Sequence, residues 1–503
     1  MTERRFRRFL ADEAATALLG NDIAMALRAG DVVALSGDLG VGKTTLARAI
    51  VRTQAGNTSL DVPSPTFTIV QSYDSRIPVA HFDLYRLSSA DELEELGFDE
   101  AIASGAVLVE WPDRAGDRIP ASAIRVELAD KNGGRSAEIA ARGAAVERLQ
   151  RSLDIRAFLD TSGMGGAWRE HLTGDASTRA YEMLHMPDQP ALVLMNAPRQ
   201  PDGPPIRDGK PYSQIARLAE SVVPFVGVGR ALKEAGFAAP AIHASDLDQG
   251  LLAIEHLGGE GVLSADGAPV PERYLAAAEL LAELHARSWP RVLPVSDGID
   301  HRLPDYDREA MLIEISLMLD WYLPLEGGRE LNEAERDRLF GAWNTVLDRL
   351  DGAEKSIVLR DFHSPNLIWR ADRIGADRLG LIDFQDALWG PSAYDVASLA
   401  MDARVTIRRE LEQEIVAAYV AARQKGGAFD RAGFEEAYAI MAAQRSAKIL
   451  GIFVRLDRRD GKPAYLKHLP RMRDYFARAL AHEALAPVGD ALEAVGLGAS
   501  LRP

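Results

Sequence analysis

The sequence of 503 residues contains no cysteine. That absence removes disulfides, thiolate zinc sites, iron–sulfur ligation and thiol nucleophiles together, and it argues against a secreted, disulfide-stapled fold. Long apolar runs are missing too. Pieces such as VALSG and LMNAP have strand length, far below the ~18 consecutive apolar residues needed to cross a bilayer. The basic start MTERRFRRFL resembles the first region of a signal peptide, but Asp12 and Glu13 interrupt the apolar stretch that would have to follow. It reads as a surface strand or helix of a soluble, cytoplasmic protein with no membrane attachment. An excess of basic residues is also lacking: 58 Lys and Arg stand against 74 Asp and Glu, a formal charge of −16. That is the wrong sign for gripping a polyphosphate backbone, where Lys and Arg gain affinity by releasing counterions. The division at Gln150 gives 17 basic and 22 acidic residues before it and 41 and 52 after, so no basic arm hides in the average. No period of 20 to 50 residues suggests a solenoid, and nothing has the ligand spacing of a zinc site.

The length is about three times the ~150-residue prior for one domain, and 47% hydrophobic with 26% charged residues is ordinary globular composition. Apolar runs at residues 32–35, 67–70 and 107–109 alternate with amphipathic or polar stretches, the grammar of an α/β domain. The charged, helix-permissive stretch AAVERLQRSLDIR precedes the turn-rich TSGMGG, and the boundary is expected near there: residues 1–150 form one domain and 151–503 another. The second begins with strand-like pieces (ALVLM, LLAIE) among Pro-rich connections and turns to long helical patterns such as YLAAAELLAELHARSW from residue 271 onward. A small β-containing lobe of about 156–257 and a larger helical lobe of about 258–485 are expected.

The sharpest motif is GDLGVGKTT, comprising Gly37, Asp38, Leu39, Gly40, Val41, Gly42, Lys43, Thr44 and Thr45. It satisfies G-x-x-x-x-G-K-[ST] between an apolar strand, DVVALS, and a helical LARAIVR. Glycines in such a loop let backbone N–H groups turn inward around phosphate oxygens, and the helix that follows offers the positive end of its dipole. Lys43 would reach the β- and γ-phosphates of ATP, and Thr44 would hold Mg²⁺. The site also needs an acid near the metal. Glu110 closes the run AVLVE and would emerge at the carboxyl edge of a strand, where open sheets bind ligands. Ser64 and Thr66 in SPTFTIV could sense the γ-phosphate and Asp83 in HFDLYR could orient water or metal; an ordinary turn and a capping aspartate fit those residues equally well.

Taken in order, GDLGVGKTTLAR, VPSPTFTIV, HFDLYRL, DELEELGFDE and VEWP resemble the TsaE (YjeE) type of bacterial ATPase subunit that serves tRNA threonylcarbamoyladenosine synthesis, over about residues 9–143. The resemblance implies an α/β P-loop NTPase domain whose turnover supports attachment of a threonylcarbamoyl group to an adenosine beside the anticodon. It implies partner subunits of the TsaB/TsaD type, with tRNA contacted only indirectly. It also implies that Thr16 approaches the nucleotide base and that Lys43, Thr44, Asp83, Glu110 and Trp111 occupy motif positions.

A second constellation lies in VLRDFHSPNLIW and GLIDFQDALWGP. Asp361 would accept the proton of an incoming hydroxyl, while Asn366 and Asp383 would hold Mg²⁺ against the phosphates. These segments, with LTGDASTRAY, EISLMLDWYL and AQRSAKILGIFVRLDRRDGKPAYLKHLPR, resemble the aminoglycoside phosphotransferase-like kinases, in particular the AmgK-type amino-sugar kinases, over about residues 156–482. The resemblance implies an α+β bilobal, protein-kinase-like domain that phosphorylates the anomeric hydroxyl of N-acetylmuramate and N-acetylglucosamine in cell-wall recycling, with the GDASTR loop closing over ATP. Two departures stand out. Leu359 occupies a position where many relatives carry histidine, and Met195 falls where a phosphate-pairing lysine is usual, with Arg179 as its substitute. Arg445 and Lys448 lie three residues apart and could share a helix face toward a sugar carboxylate or phosphate; a solvated face accounts for them as well. His285 and His363 read as structural.

The expected protein is thus bifunctional, with two MgATP sites. The alternatives are a first domain that acts as a nucleotide-dependent interaction switch, and a second that phosphorylates an aminoglycoside, a choline-like alcohol or another small hydroxyl compound, or is a pseudokinase.

Overall fold

A computed structural model describes residues 3–172, 179–498 and 501. It divides into two compact units, Met1–Ala197 with His243–His256, and Pro198–Ile242 with Leu257–Pro503.

The first unit holds a seven-stranded sheet in the order Glu3–Leu10, Gly134–Arg142, Ile124–Lys131, Val32–Ser36, Ala106–Glu110, Val79–Asp83, Val70–Tyr73. Its four central strands are parallel, and each outer connection is antiparallel. Strand alternation explains why the run VVALS is apolar throughout: Val33 and Leu35 join the core cluster under helices Glu13–Ala26 and Lys43–Ala55, while Val32 and Ala34 join a second cluster with Phe82 and Phe98 on the opposite face. The register pairs Leu35 with Glu110 and Glu110 with Asp83, bringing both acids to the carboxyl edge beside the P-loop. The run expected as a strand at residues 67–70 begins pairing only at Val70. Ile69 is left-handed (φ 66°); its N–H donates to the Pro65 carbonyl at 2.6 Å, closing a turn, while its carbonyl accepts the Asp83 N–H at 2.9 Å.

The charged stretch after the sheet is one helix, Ala144–Thr161, continuous across Gln150. Beyond it, strands Trp168–Leu172, Ala180–His185, Leu192–Asn196, Leu251–Glu255 and Ile242–Asp246 form a five-stranded sheet. A buried ion cluster fastens this sheet to the first one. Asp22, on helix Glu13–Ala26, accepts from Arg156 Nε at 3.0 Å and from Arg169 Nη1 at 3.0 Å. Arg169 then grips Glu182 with two bonds of 2.7 and 2.9 Å. The Asn21 side-chain amide donates to the Arg169 carbonyl and accepts the Arg169 N–H, and Ser152 Oγ donates to the Asp22 carbonyl at 2.6 Å. All four charged groups are under 8% exposed.

The second unit is mainly helical. Its longest element, Arg431–Arg458, packs against Arg308–Leu317, Ala393–Ala400 and Leu469–Leu480. Short ladders, Lys355–Val358 with Leu388–Pro391 and Leu367–Trp369 with Leu379–Leu381, carry the loops that follow them. Among the described residues no helix is long and apolar enough to cross a membrane.

Removing one member of a buried ion cluster leaves the others uncompensated, at a cost of about 3–5 kcal/mol. Asp22→Ala should lower the urea midpoint of the transition that unfolds the first unit, and amide exchange should accelerate both in helix Glu13–Ala26 and in strand Trp168–Leu172. An unchanged midpoint would show that the cluster does not join the two sheets energetically.

Candidate active sites

The P-loop leaves strand Val32–Ser36 through Gly37 (φ 134°), where a Cβ would sit 2.3 Å from the Leu128 carbonyl oxygen, so only glycine fits. Gly42 is also left-handed and caps the helix that starts at Lys43. Lys43 Nζ donates to the carbonyls of Gly37 and Asp38, each at 2.8 Å, and lies 3.8 Å from the centre of the Trp111 ring. Burial draws the Lys43 ammonium below its ordinary value, against the opposing pull of Glu110, Asp83 and Asp38. Thr44 Oγ1 donates to both oxygens of Glu110, at 2.9 and 3.0 Å. The two residues expected to share a metal therefore already meet. Asp83 accepts from Ser64 Oγ at 2.7 Å, Thr66 Oγ1 at 2.8 Å and the Tyr85 N–H at 3.1 Å, which ties the SPTF segment to the sheet edge. Thr16 is buried, its hydroxyl donating to the Asp12 carbonyl at 3.0 Å, and Thr45 reaches Glu13 at 3.4 Å. The exposed Leu39 and the buried Val41 complete the loop with Gly40.

Two residues that the motif reading did not single out join this site. His81, fully buried one strand away, sits with Nε2 3.0 Å from Glu110 Oε1. It lies in the HFD string two residues before Asp83, on the same face of its strand. The Arg135 guanidinium packs 3.5 Å from the place a Gly42 Cβ would take, and donates to Thr16 Oγ1 at 3.4 Å. No motif marks it, because it comes from the opposite end of the domain's sequence.

In the second unit, Asp395 clamps the phosphotransfer loop by accepting the N–H groups of Leu359 (2.6 Å) and Arg360 (2.9 Å). The backbone carbonyl of Asp361 accepts from Asn366 Nδ2 at 2.8 Å, and Asn366 Nδ2 lies 3.4 Å from Asp383 Oδ2. Asp361, Asn366 and Asp383 thus gather in one place, with Asp383 left-handed (φ 60°) at the end of its strand. Burial pushes the Asp361 carboxyl up, but Lys448, His363, Arg360 and Arg445 together hold it below the usual carboxylate value. His363 lies on the loop with Nδ1 3.8 Å from Asp402, while His285 bonds the Tyr419 hydroxyl at 3.0 Å. Lys448 pairs with buried Glu314 at 2.9 Å, and Arg445 donates to the Met401 carbonyl at 3.2 Å. Both are internal and engaged with protein groups. Met195 is buried in its strand, and Arg179 immediately precedes strand Ala180–His185, while Gly174–Thr178 of the GDASTR loop lie outside the described residues.

Among the described residues no three His, Cys, Asp or Glu side chains cluster as a metal site. The pairs that do occur, Thr44 with Glu110 and Asn366 with Asp383, suit Mg²⁺, which takes one or two protein oxygens and completes its shell with water and phosphate.

A phosphate cradle ending in lysine and threonine at the edge of a parallel sheet defines a P-loop nucleotide hydrolase, and the Asp-Asn-Asp loops on a helical unit define a kinase-like phosphotransferase. The chain belongs to both corresponding families. Residues 10–138 match the family "Threonylcarbamoyl adenosine biosynthesis protein TsaE", and residues 169–437 match "Phosphotransferase enzyme family". Over 340 residues it is 36% identical to an N-acetylmuramate/N-acetylglucosamine kinase of Caulobacter vibrioides, covering 66% of this chain and 92% of the relative. A kinase of the same description from Neisseria meningitidis is 33% identical, covering 62% and 86%. A TsaE protein of Rickettsia felis is 37% identical over 126 residues, 24% of this chain and 73% of the relative. The chain is accordingly an enzyme of ATP-dependent phosphate chemistry.

Because Asp83 supplies the acceptor for three separate donors, Asp83→Ala should accelerate amide exchange across residues 63–69 while leaving the helix after Lys43 protected. Equal protection of the 63–69 segment in both proteins would mean that Asp83 does not hold it.

Proposed function

We propose that this chain carries two separate MgATP-dependent activities: a TsaE-type ATPase that supports tRNA threonylcarbamoylation, and an anomeric kinase for N-acetylmuramate and N-acetylglucosamine. The observation that carries the reading is the pairing of each half's motif geometry with relatives of that half, at 37% and 36% identity.

In the first site, residues 37–45 bind the phosphates, and Lys43 exchanges the Gly37 and Asp38 carbonyls for β- and γ-phosphate oxygens. Thr44 and Glu110 would hold Mg²⁺, whose chemistry is to neutralise charge on the phosphates. His81 fixes the orientation of Glu110, and Ser64 and Thr66 change partners from Asp83 to the nucleotide as the switch. Partner subunits of the TsaB/TsaD type fit a rim that leaves Leu39 79% and Phe67 83% exposed beside this site. Large apolar side chains at that exposure favour a protein contact, so tRNA is met through the assembly. These partners and the reducing environment that a cysteine-free chain suits make the cytoplasm the place of action.

In the second site, the sugar's anomeric oxygen bonds to the γ-phosphorus as the bridging P–O bond breaks and ADP leaves, and the hydroxyl proton passes to the Asp361 carboxylate. That carboxylate accepts no hydrogen bond among the described residues and is held ionised by its cationic surroundings. Asn366 and Asp383 would hold the metal.

Lys43→Ala should abolish ATP turnover by the first site, assayed with its partner subunits, and leave sugar phosphorylation unchanged. Loss of both activities together would refute separate sites. Asp361→Ala should lower sugar-kinase kcat at least ~10²-fold, as expected for a lost general base. Product analysis with N-acetylmuramate, N-acetylglucosamine and kanamycin as acceptors tests the substrate, and phosphorylation of kanamycin alone would overturn the amino-sugar assignment.

A further inference from the structure

Behind the phosphotransfer loop lies a carboxylate that no part of the proposed reaction uses. Glu314, on helix Arg308–Leu317, is fully buried and accepts from four groups: Lys448 Nζ at 2.9 Å, Tyr306 OH at 2.6 Å, Gln444 Nε2 at 2.9 Å, and the guanidinium of Arg360. Arg360 immediately precedes Asp361 and is left-handed (φ 72°), a conformation that a long side chain adopts only when its surroundings impose it. Its backbone N–H is clamped by Asp395, its side chain by Glu314, and the N–H of Asp361 turns back to the Leu359 carbonyl at 2.9 Å. The direction in which Asp361 leaves the loop is therefore set at Arg360.

Charges of both signs meet behind the loop. Glu314 and Asp361 share two cations, Arg360 and Lys448, with Arg445 also acting on Asp361 and Asp386 on Arg360. Burial alone would raise the Glu314 carboxyl, but Lys448 and Arg360 hold it down to about 2. A buried ion cluster of this kind contributes little to stability compared with a well-packed apolar replacement. Three charged side chains, kept almost wholly out of water directly behind a reactive carboxylate, point to orientation.

We propose that Glu314 is the positioning residue of the phosphotransfer loop: it anchors the Arg360 guanidinium, so that the left-handed turn at Arg360 aims Asp361 at the acceptor hydroxyl. The same geometry gives Lys448 the part of second counter-ion in the cluster, apart from any sugar contact. The inference rests on the reading of Asp361 as the group that receives the hydroxyl proton.

The test uses the full chain and steady-state kinetics with MgATP and N-acetylglucosamine. Arg360→Gly relieves the backbone conformation and removes the anchor together with one cation of the cluster. Glu314→Gln/Lys448→Met removes one charge of each sign, so the net charge of the cluster is unchanged and the protein keeps its fold where Glu314→Gln alone would leave Lys448 and Arg360 uncompensated. The double variant should retain the wild-type thermal transition to within a few degrees, whereas Arg360→Gly, which leaves Glu314 with one cation fewer, should melt lower but stay folded at the assay temperature; both should keep KM values for ATP and sugar within about threefold, while kcat falls at least tenfold, the scale of a misplaced reacting group. Arg360→Lys, which keeps a cation in reach of Glu314, should recover part of that loss. Wild-type kcat in both Arg360→Gly and the double variant, or a loss confined to the KM for sugar, would overturn the proposal. Asp361→Asn in the same assay tests the underlying reading separately: if that variant keeps its turnover, the role of Asp361 fails, whereas an inactive Asp361→Asn beside a fully active Arg360→Gly and double variant fails only the role of Glu314.

Discussion

One carboxylate between two arginines holds the first unit together. Asp22 belongs to the nucleotide-hydrolase family region, Arg156 to the helix that follows it, and Arg169 and Glu182 to the phosphotransferase region. Two cations and two carboxylates cancel, and the hydrogen bonds of Asn21 and Ser152 satisfy polar groups that would otherwise be costly to bury. Apolar packing alone would let the two sheets slide against each other with little change in buried area. Directional bonds do not allow this, because a shift of an ångström breaks several of them at once. Helix Glu13–Ala26, which carries Thr16 toward the nucleotide site at one end and Asp22 into the cluster at the other, therefore has a fixed place with respect to both sheets.

The two phosphate sites reach similar ends by different means. The first relies on backbone: glycines turn amides inward, and the side chains that matter stand at the ends of parallel strands in register. The second relies on side chains held by other side chains, with Asp395 and Glu314 shaping a short loop from behind. Left-handed residues with side chains, Trp111 beside Lys43, Arg360 before Asp361 and Asp383 itself, recur at both. Such conformations cost about 1–3 kcal/mol each and persist where surrounding contacts over-determine them. Neither arrangement requires a basic surface, which is why an acidic chain can handle two polyphosphate ligands.

What could be read from sequence was whatever lies close together in it. The P-loop is contiguous, its spacing is dictated by phosphate geometry, and Glu110 betrays itself by ending an apolar strand. Asp361 and Asn366 sit five residues apart in one loop for the same reason. Contacts made across long separations left no such trace. Nothing around Arg135 indicates that it reaches Gly42, nothing in EISLMLDWYL shows that its glutamate lies behind a loop almost fifty residues further on, and Asp22 resembles any polar residue of an amphipathic helix. Arg445 and Lys448 illustrate a related difficulty: three-residue spacing puts two side chains on one helix face but cannot tell whether that face meets solvent, ligand or a buried glutamate. The strand expected at 67–70 began later because a left-handed isoleucine, disfavoured by its β-branch, is imposed by the turn at Pro65 and leaves no mark in hydrophobicity.

The helix Ala144–Thr161 runs without interruption from the last strand of the first sheet toward the first strand of the second. A helix that also carries Arg156 into the shared cluster makes separation structurally costly to both neighbours, since a cut before Arg156 leaves Asp22 with neither arginine, and one between Arg156 and Arg169 breaks the bonds from Arg169 to Asn21, Asp22 and Ser152. Each molecule made therefore carries one copy of each activity, and the ratio between them is written into the covalent chain, beyond the reach of transcription or translation to adjust.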